Sequence, residues 1–441
     1  MADINFLGCD VNVFVVIRVI YSAVMVLLTP LMVMRLLWKS RRLPGYRQRI
    51  AERFFIGVKR AQATDVWVHA VSLGEVVAAT PLIQHWLEQG LRVLVTTMTP
   101  TGLAQIERRF GDDVMYQYVP YDLPWTLRRF FKRYAPRLGI IMETELWPNL
   151  IFEAQRASVP LFLANARISD RAFKKYQRVC WLFKQVLAPF GQILAQSPVD
   201  VARFYALGAK PEAVKLLGNI KFDIPIVHRV PAAVRALKQA WGESRCVLIA
   251  ASTHAGEEES MLRILKQLQD TIDGIILLIA PRHPERFSEV HALCQQHGFT
   301  TGKRSDAASI NSHIDVVVVD SLGELVSFYA VSDYAFVGGS WVPVGGHNVL
   351  EAIAQGVPVF CGDYMQNSQT MTQQLVDAGA ISQISDAEAL FSALVDLHAN
   401  RSRCDAQIQC ATNVLLANQG AVARHIQVFQ HGLNGQMASV A

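Results

Sequence analysis

Three observations predict an α/β fold of two doubly wound domains. The chain has 441 residues, too many for one ordinary hydrophobic core. From residue 66 onward, short apolar runs alternate with amphipathic stretches, the pattern of βα units built around parallel sheets. The stretch 223–236 (DIPIVHRVPAAVRA) carries two prolines and breaks that rhythm, which then restarts. The expected boundaries are 1–40 for an N-terminal anchor with its basic flank, 41–225 for the first domain and 226–441 for the second.

Hydrophobic residues make up 51% of the chain and charged residues 18%, apolar but far from a multispanning protein. The excess sits at 13–38, which is apolar apart from Arg18 and Arg35. Its uninterrupted part, Val19 to Met34, has 16 residues, short of the roughly 20 that a span needs unless the arginines snorkel. Lys39, Arg41, Arg42, Arg47 and Arg49 follow and would stay on the cytoplasmic side. Two readings follow: a single-span anchor, or a hairpin or interfacial helix bent at Thr29-Pro30. The net charge of +5 does not indicate a nucleic-acid binder and fits an anionic substrate or membrane surface. Basic clusters at 128–137 and 167–178 extend that bias. The seven cysteines are scattered, without a Cys-x-x-Cys, so neither a zinc site nor a disulfide framework is expected.

In the first domain the runs 66–71, 92–98, 115–121, 138–143, 160–166 and 192–197 read as buried strands, with helices such as 75–89 and 101–110 between them. In the second, 246–252, 274–281, 315–321, 334–340 and 357–362 read the same way. Ligands bind such sheets beyond the carboxyl ends of their strands, and two side by side leave a cleft there. The polar residues of interest collect at those ends.

The segment 338–359, GGSWVPVGGHNVLEAIAQGVPV, is the most informative. Gly338, Gly339, Gly345 and Gly346 let backbone approach a ligand closely, and a helix opening at His347-Asn348 offers unpaired amides to an anion. Glu351 in its first turn suits sugar hydroxyls. Together they describe a nucleotide site. Glu75 follows a Ser-Leu-Gly turn at a helix start, where the dipole keeps a carboxylate ionised, and is a candidate general base. Glu143 and Glu145 lie two apart and share a side if their strand continues, and Trp147 after them suits a sugar or lipid. Arg282 with His283 closes a hydrophobic strand, where an arginine binds phosphate in bidentate fashion. The Ser321-Leu322-Gly323-Glu324 turn and Lys221 complete the set. No Asp-x-Asp occurs, so phosphate stabilisation by cations and helix N-termini is expected rather than by a metal.

Taken together, the blocks WVHAVSLGE (67–75), TTMTPTG (96–102), METELWPN (142–149), NARIS (165–169), GNIKFD (218–223), APRHPERF (280–287), DSLGEL (320–325), GGS (338–340) and GGHNVLEA (345–352) resemble the bacterial 3-deoxy-D-manno-octulosonic acid (Kdo) transferases over essentially the whole chain. Leu73 and Val349 are conservative departures from that pattern. The resemblance implies a GT-B glycosyltransferase, an acceptor-binding first domain and a CMP-sugar-binding second. It implies inverting transfer of Kdo from CMP-Kdo to a lipid A precursor at the cytoplasmic face of the inner membrane, without cofactor or metal. It makes Glu75 the proton acceptor. Ser252, Pro281, Arg282, His283, Leu322, Gly323, Glu324, Asn348, Val349, Leu350 and Glu351 become the CMP and donor set, with Glu143 and Lys221 as supporting contacts. The site is expected to use nothing before residue 66. The alternatives are another membrane-associated GT-B transferase, a sugar-nucleotide epimerase, or a tethered binding protein with a degenerate site.

Overall fold

The computed structural model describes residues 4–6, 9–11, 13–41, 44–57, 62–226 and 230–440. Two compact units form, one of residues 1–223 with 420–441, the other of 224–419. Each is built on a seven-stranded sheet whose paired strands all run parallel. Every strand expected from the sequence is present, within a few residues at its ends. The additional strands are three residues each: Val214–Leu216, Thr301–Lys303 and Ile381–Gln383 at the edges of these sheets, and a separate antiparallel pair, Ile4–Phe6 with Cys9–Val11. That is too short for a periodic signal.

In the first unit the strands lie in the spatial order Met115–Tyr118, Val93–Thr97, Val66–His69, Leu138–Met142, Leu161–Ala166, Phe190–Ala195, Val214–Leu216. The chain starts at Val66–His69, winds outward to one edge, then returns to its other side with Leu138–Met142. In the second unit Val247–Thr253 plays that central part, flanked by Ile276–Pro281 and Tyr334–Val337. Both sheets therefore have a topological switch point, where adjacent connections leave to opposite faces and open a crevice at the strand ends.

The boundary differs from the sequence expectation at the C-terminus. The helix Ala421–Val440 belongs to the first unit, not the second. Its buried Phe429 and Leu433 join the core of Val66, Val68 and Trp86, and the Phe429 ring meets the edge of Phe162 at 5.6 Å. Asp223 accepts hydrogen bonds from the amides of Gly420 and Val422, tying the departing chain to the returning one.

The N-terminal helix runs unbroken from Val13 to Lys39 with Pro30 inside it, so no hairpin forms at Thr29-Pro30. It does not stand free of the first unit. Tyr21 donates a hydrogen bond to Asp122 (2.8 Å), and Ser22 lies 3.1–3.2 Å from the Asn149 amide. Leu36 packs with Tyr121 and Leu123. Tyr21 and Ser22 thus touch the segments that follow two of the strands, Met115–Tyr118 and Leu138–Met142.

Truncating Phe429 to alanine is expected to cost about 3–5 kcal/mol of unfolding free energy, as for other large aromatic deletions in cores. Urea denaturation of the full chain measures it.

Candidate active site

At the first unit's switch point, Val66–His69 ends in a turn and the helix Leu73–Glu88 begins. Ser72 caps that helix, and Glu75 three residues on reaches back in a capping box. The Glu75 carboxylate accepts from the Val71 amide (2.8 Å) and the Ser72 hydroxyl (2.9 Å). It is buried, 9% exposed. Burial first, and then the negative charge of Glu143, push its pKa up to about 7, against the two hydrogen bonds that favour the ionised form. The sequence reading of a low pKa at a helix start is thus overturned. Desolvation and a like charge outweigh the dipole.

Glu143 comes from the strand on the other side of the crevice, Leu138–Met142. Its backbone is left-handed, φ 54°, so the strand alternation stops and it does not share a side with Glu145 by pleat. Instead Glu143 is clamped by Lys221 Nζ (2.9 Å) and Arg167 Nε (2.8 Å). Burial raises its pKa, but the two cations outweigh that and hold it below the ordinary carboxylate value. Glu145 accepts instead from Trp147 Nε1 (2.8 Å), and the Trp147 ring meets His69 edge-on at 5.6 Å. Trp147 is thus partly committed to packing. His69 was not singled out from the sequence. It is fully buried and kept neutral, its pKa lowered by burial to about 4, and its Nε2 has no partner among the described residues.

The second unit repeats the plan. Val247–Thr253 is followed by a turn and the helix Glu257–Gln269. Ser252 is left-handed, φ 55°, where the register with Ile276–Pro281 slips. Glu257, which the sequence reading passed over among three consecutive glutamates, organises the site. Its Oε2 accepts from the amides of His254 (2.9 Å) and Gly339 (2.8 Å). Its Oε1 accepts from those of Ser340 and Trp341 (3.0 Å each). A Cβ on Gly338 would stand 2.7 Å from that carboxylate, and one on Gly346 would strike Met365 Sδ at 2.1 Å. These glycines are required by close packing of the loop on itself as much as by ligand approach.

Arg282 follows the strand Ile276–Pro281, and its amide bonds to Thr253. Its charge bears on His254, His347 and Glu351 alike, so Arg282 and the Asn348–Glu351 segment are brought together. His254 and His347 stack with ring planes 5° apart and touch through their Nε2 atoms at 2.9 Å, while His283 meets His254 edge-on. His347 is pushed down to about 4 by burial first and then Arg282, so the pair is neutral near pH 7. Asn348 donates to Glu351 (3.1 Å) and accepts from the Leu350 amide. Glu351 is raised by burial, opposed by Asn348 and Arg282. The helix expected to open at His347-Asn348 starts at Leu350 and is one turn long, Leu350–Ile353, so its dipole is weak. Val349 and Leu350 turn their side chains into the core. The 322–324 turn lies at the end of Val316–Val318, with Gly323 at φ 85°, and Glu324 is engaged by Arg304 (3.0 Å).

The family pattern for 3-deoxy-D-manno-octulosonic-acid transferase (kdotransferase) matches residues 48–224. A 3-deoxy-D-manno-octulosonic acid transferase of Haemophilus influenzae is 35% identical over 94% of this chain and 98% of its own length. This chain belongs to the Kdo transferase family. A glycosyltransferase from Rickettsia africae superposes with a TM-score of 0.57 at 11% identity, covering 84% of this chain and 99% of its own. A UDP-GlcNAc 2-epimerase from Neisseria meningitidis does so at 0.56 and 12% identity, over 84% and 100%. Both show the two-domain GT-B fold, which transferases and epimerases share; sequence, not fold, separates them. The Kdo transferase pattern spans the first unit's site, from before Glu75 to beyond Lys221.

Glu257→Gln should lower the stability of the second unit by roughly 3 kcal/mol or more, since several charge-assisted bonds weaken and an NH₂ group faces amide donors. Urea unfolding of the full chain, followed by tryptophan fluorescence, tests this.

Proposed function

We propose that the protein transfers Kdo from CMP-Kdo to a hydroxyl of a lipid A precursor, with inversion, on the cytoplasmic face of a bacterial inner membrane. The observation that carries the reading is Glu75, a buried carboxyl at the first unit's switch point whose pKa is pushed up to about 7. A general base works best with a pKa near the working pH. The acceptor oxygen attacks the anomeric carbon of Kdo while its proton passes to Glu75. The bond from that carbon to the phosphate oxygen breaks, and CMP leaves with the electron pair. Lys221 and Arg167, held on Glu143, keep positive charge beside the base and suit the carboxylate that Kdo carries.

In the second unit, Arg282 and His283 suit the phosphate of CMP. Asn348 and Glu351 suit its ribose hydroxyls, and the 322–324 turn its base. Ser252, Pro281, Val349 and Leu350 contribute backbone. Membership of the Kdo transferase family supports the sugar, and the apolar N-terminal helix supports a lipid acceptor.

Purified protein should move radiolabel from CMP-Kdo to a lipid A precursor; no transfer with a folded protein would overturn the reading. Glu75→Gln should lower turnover by about 10²–10⁴-fold. The base must be ionised, so kcat/KM should fall as pH drops through about 7. Glu143→Gln removes a negative charge that raises Glu75 and frees two cations, so the acid limb should move to lower pH. A limb that stays in place would remove Glu143 from the pKa argument.

Activity should also survive EDTA, because the sequence lacks an Asp-x-Asp and supplies cations for the phosphate instead. Complete loss in chelator, restored by Mg²⁺, would defeat metal independence.

A further inference from the structure

We propose that Arg53 is a positioning residue for Glu75: it grips the Met98 carbonyl, and so fixes the turn after Val66–His69 where the Val71 amide meets the Glu75 carboxylate. The proposal rests on Glu75 as the base. It adds a residue before position 66, where the sequence predicts no contribution to the site.

Arg53 is 1% exposed, and no other arginine or lysine is buried among the described residues. Its guanidinium lies over the Tyr118 ring, 3.9 Å from the centroid, and Nη2 donates to the Met98 carbonyl at 2.9 Å. Nη1 faces Met98 Sδ at 3.6 Å, and Nε has no partner among the described residues. The titratable groups that bear on the cation are the phenols of Tyr46, Tyr118 and Tyr121, not a carboxylate. A buried charge without a counterion is costly, and an apolar side chain of similar length would fill the space without that cost.

The backbone that carries Arg53 is held against its own preferences. The turn Ile50–Phe54 is bounded by Arg49 and Phe55, both left-handed at φ 56° and 55°. That conformation is unfavourable for residues with a Cβ, and surrounding contacts must enforce it. Arg49 Nη2 donates to the Tyr116 carbonyl (3.0 Å), Glu52 accepts the Tyr118 amide, and the Arg53 carbonyl accepts the Tyr121 amide (2.8 Å). The turn is thereby stitched to the strand Met115–Tyr118 and the residues after it. An unpaired charge and two strained residues in one place mark a feature kept for what it holds.

What it holds leads to the base. Met98 directly follows the strand Val93–Thr97. Its amide donates to the Val71 carbonyl at 3.1 Å, and the Thr97 hydroxyl donates to the same oxygen at 2.9 Å. The Val71 amide donates in turn to Glu75 Oε2 at 2.8 Å. The contacts thus run from the buried cation to the base through two residues, Met98 and Val71. The charges that bear most on Glu75 are Glu143 and Glu145, so Arg53 acts through the backbone rather than through space. The Val71 amide favours the ionised carboxylate, and letting it drift favours the protonated one.

The pH profile tests the proposal. Arg53→Met keeps the length of the side chain and removes the grip. It should cost about tenfold in kcat/KM on the acid side, with the loss shrinking as pH rises, because the acid limb moves up by about one pH unit. Arg53→Lys keeps a donor within reach of the carbonyl and should return the limb most of the way. Thr97→Val removes one of the two donors to Val71 without touching Arg53, and should move the limb the same way by less. An equal loss at every pH, with the limb in place, means a purely structural arginine and overturns the proposal. If Arg53→Met does not fold, Thr97→Val decides, and a fixed limb there overturns it. A ¹³C carboxyl titration of Glu75 in the full chain, assigned against Glu75→Gln, reads the same shift without substrate. A raised titration in Arg53→Met upholds the positioning even where Kdo transfer fails. An unchanged titration overturns the positioning and leaves Glu75 as the base.

Discussion

Glu75 and Glu143 are two buried carboxyl groups within electrostatic reach of each other, and both cannot be freely ionised in low dielectric. The first unit resolves the conflict asymmetrically. Glu143 takes both cations, Lys221 and Arg167, and remains ionised; Glu75 takes only a backbone amide and a hydroxyl. The negative charge that the cations stabilise is the one that raises its neighbour. Paired groups whose environments drive their pKa values apart are a common way to set up one proton acceptor at neutral pH. The switch-point topology is what puts them together, because their two strands are adjacent in the sheet though about 70 residues apart in sequence.

The second unit uses a carboxylate at the matching position for a different end. Glu257 accepts four backbone amides and forms no ion pair among the described residues, so its hydrogen-bonding capacity goes to shaping the 338–341 loop. The same device, a glutamate early in the helix after the central strand, is a base candidate in one unit and a scaffold in the other. The difference lies in what surrounds it. Glu75 has two donors and a like charge; Glu257 has a ring of amides.

The sheets were legible because buried parallel strands are long apolar runs, and only three-residue strands such as Val214–Leu216 escaped. The strand-end motifs were legible too, since Glu143 and Arg282 directly follow strands and Glu75 opens the helix after one, while Glu351 lies in the short helix beyond the loop that follows Tyr334–Val337. What sequence could not supply was environment. The direction of the Glu75 pKa depends on Glu143 and on burial, neither of which is local. The role of Glu257 depends on a loop 80 residues away, and His69 is one polar letter in an apolar run. The return of Ala421–Val440 to the first unit carries no signal in its own composition, because an amphipathic helix reads the same whichever core it covers.

That returning helix reaches the chemistry through a traceable chain of contacts. His425 is buried and neutral, its pKa lowered to about 4 by burial. Its Nδ1 donates to the Ala421 carbonyl, which leaves Nε2 free to accept the amide of Asn165 (3.1 Å). Protonation would set a donor against a donor, so the contact requires the neutral ring. Asn165 is left-handed, φ 51°, a conformation with a cost that surrounding contacts must hold. Its side chain in turn accepts the amide of Ile220, the residue before Lys221. Lys221 then grips Glu143, and Glu143 sets Glu75. The helix Ala421–Val440 therefore supports, through Asn165 and Lys221, a site whose base lies far earlier in the chain.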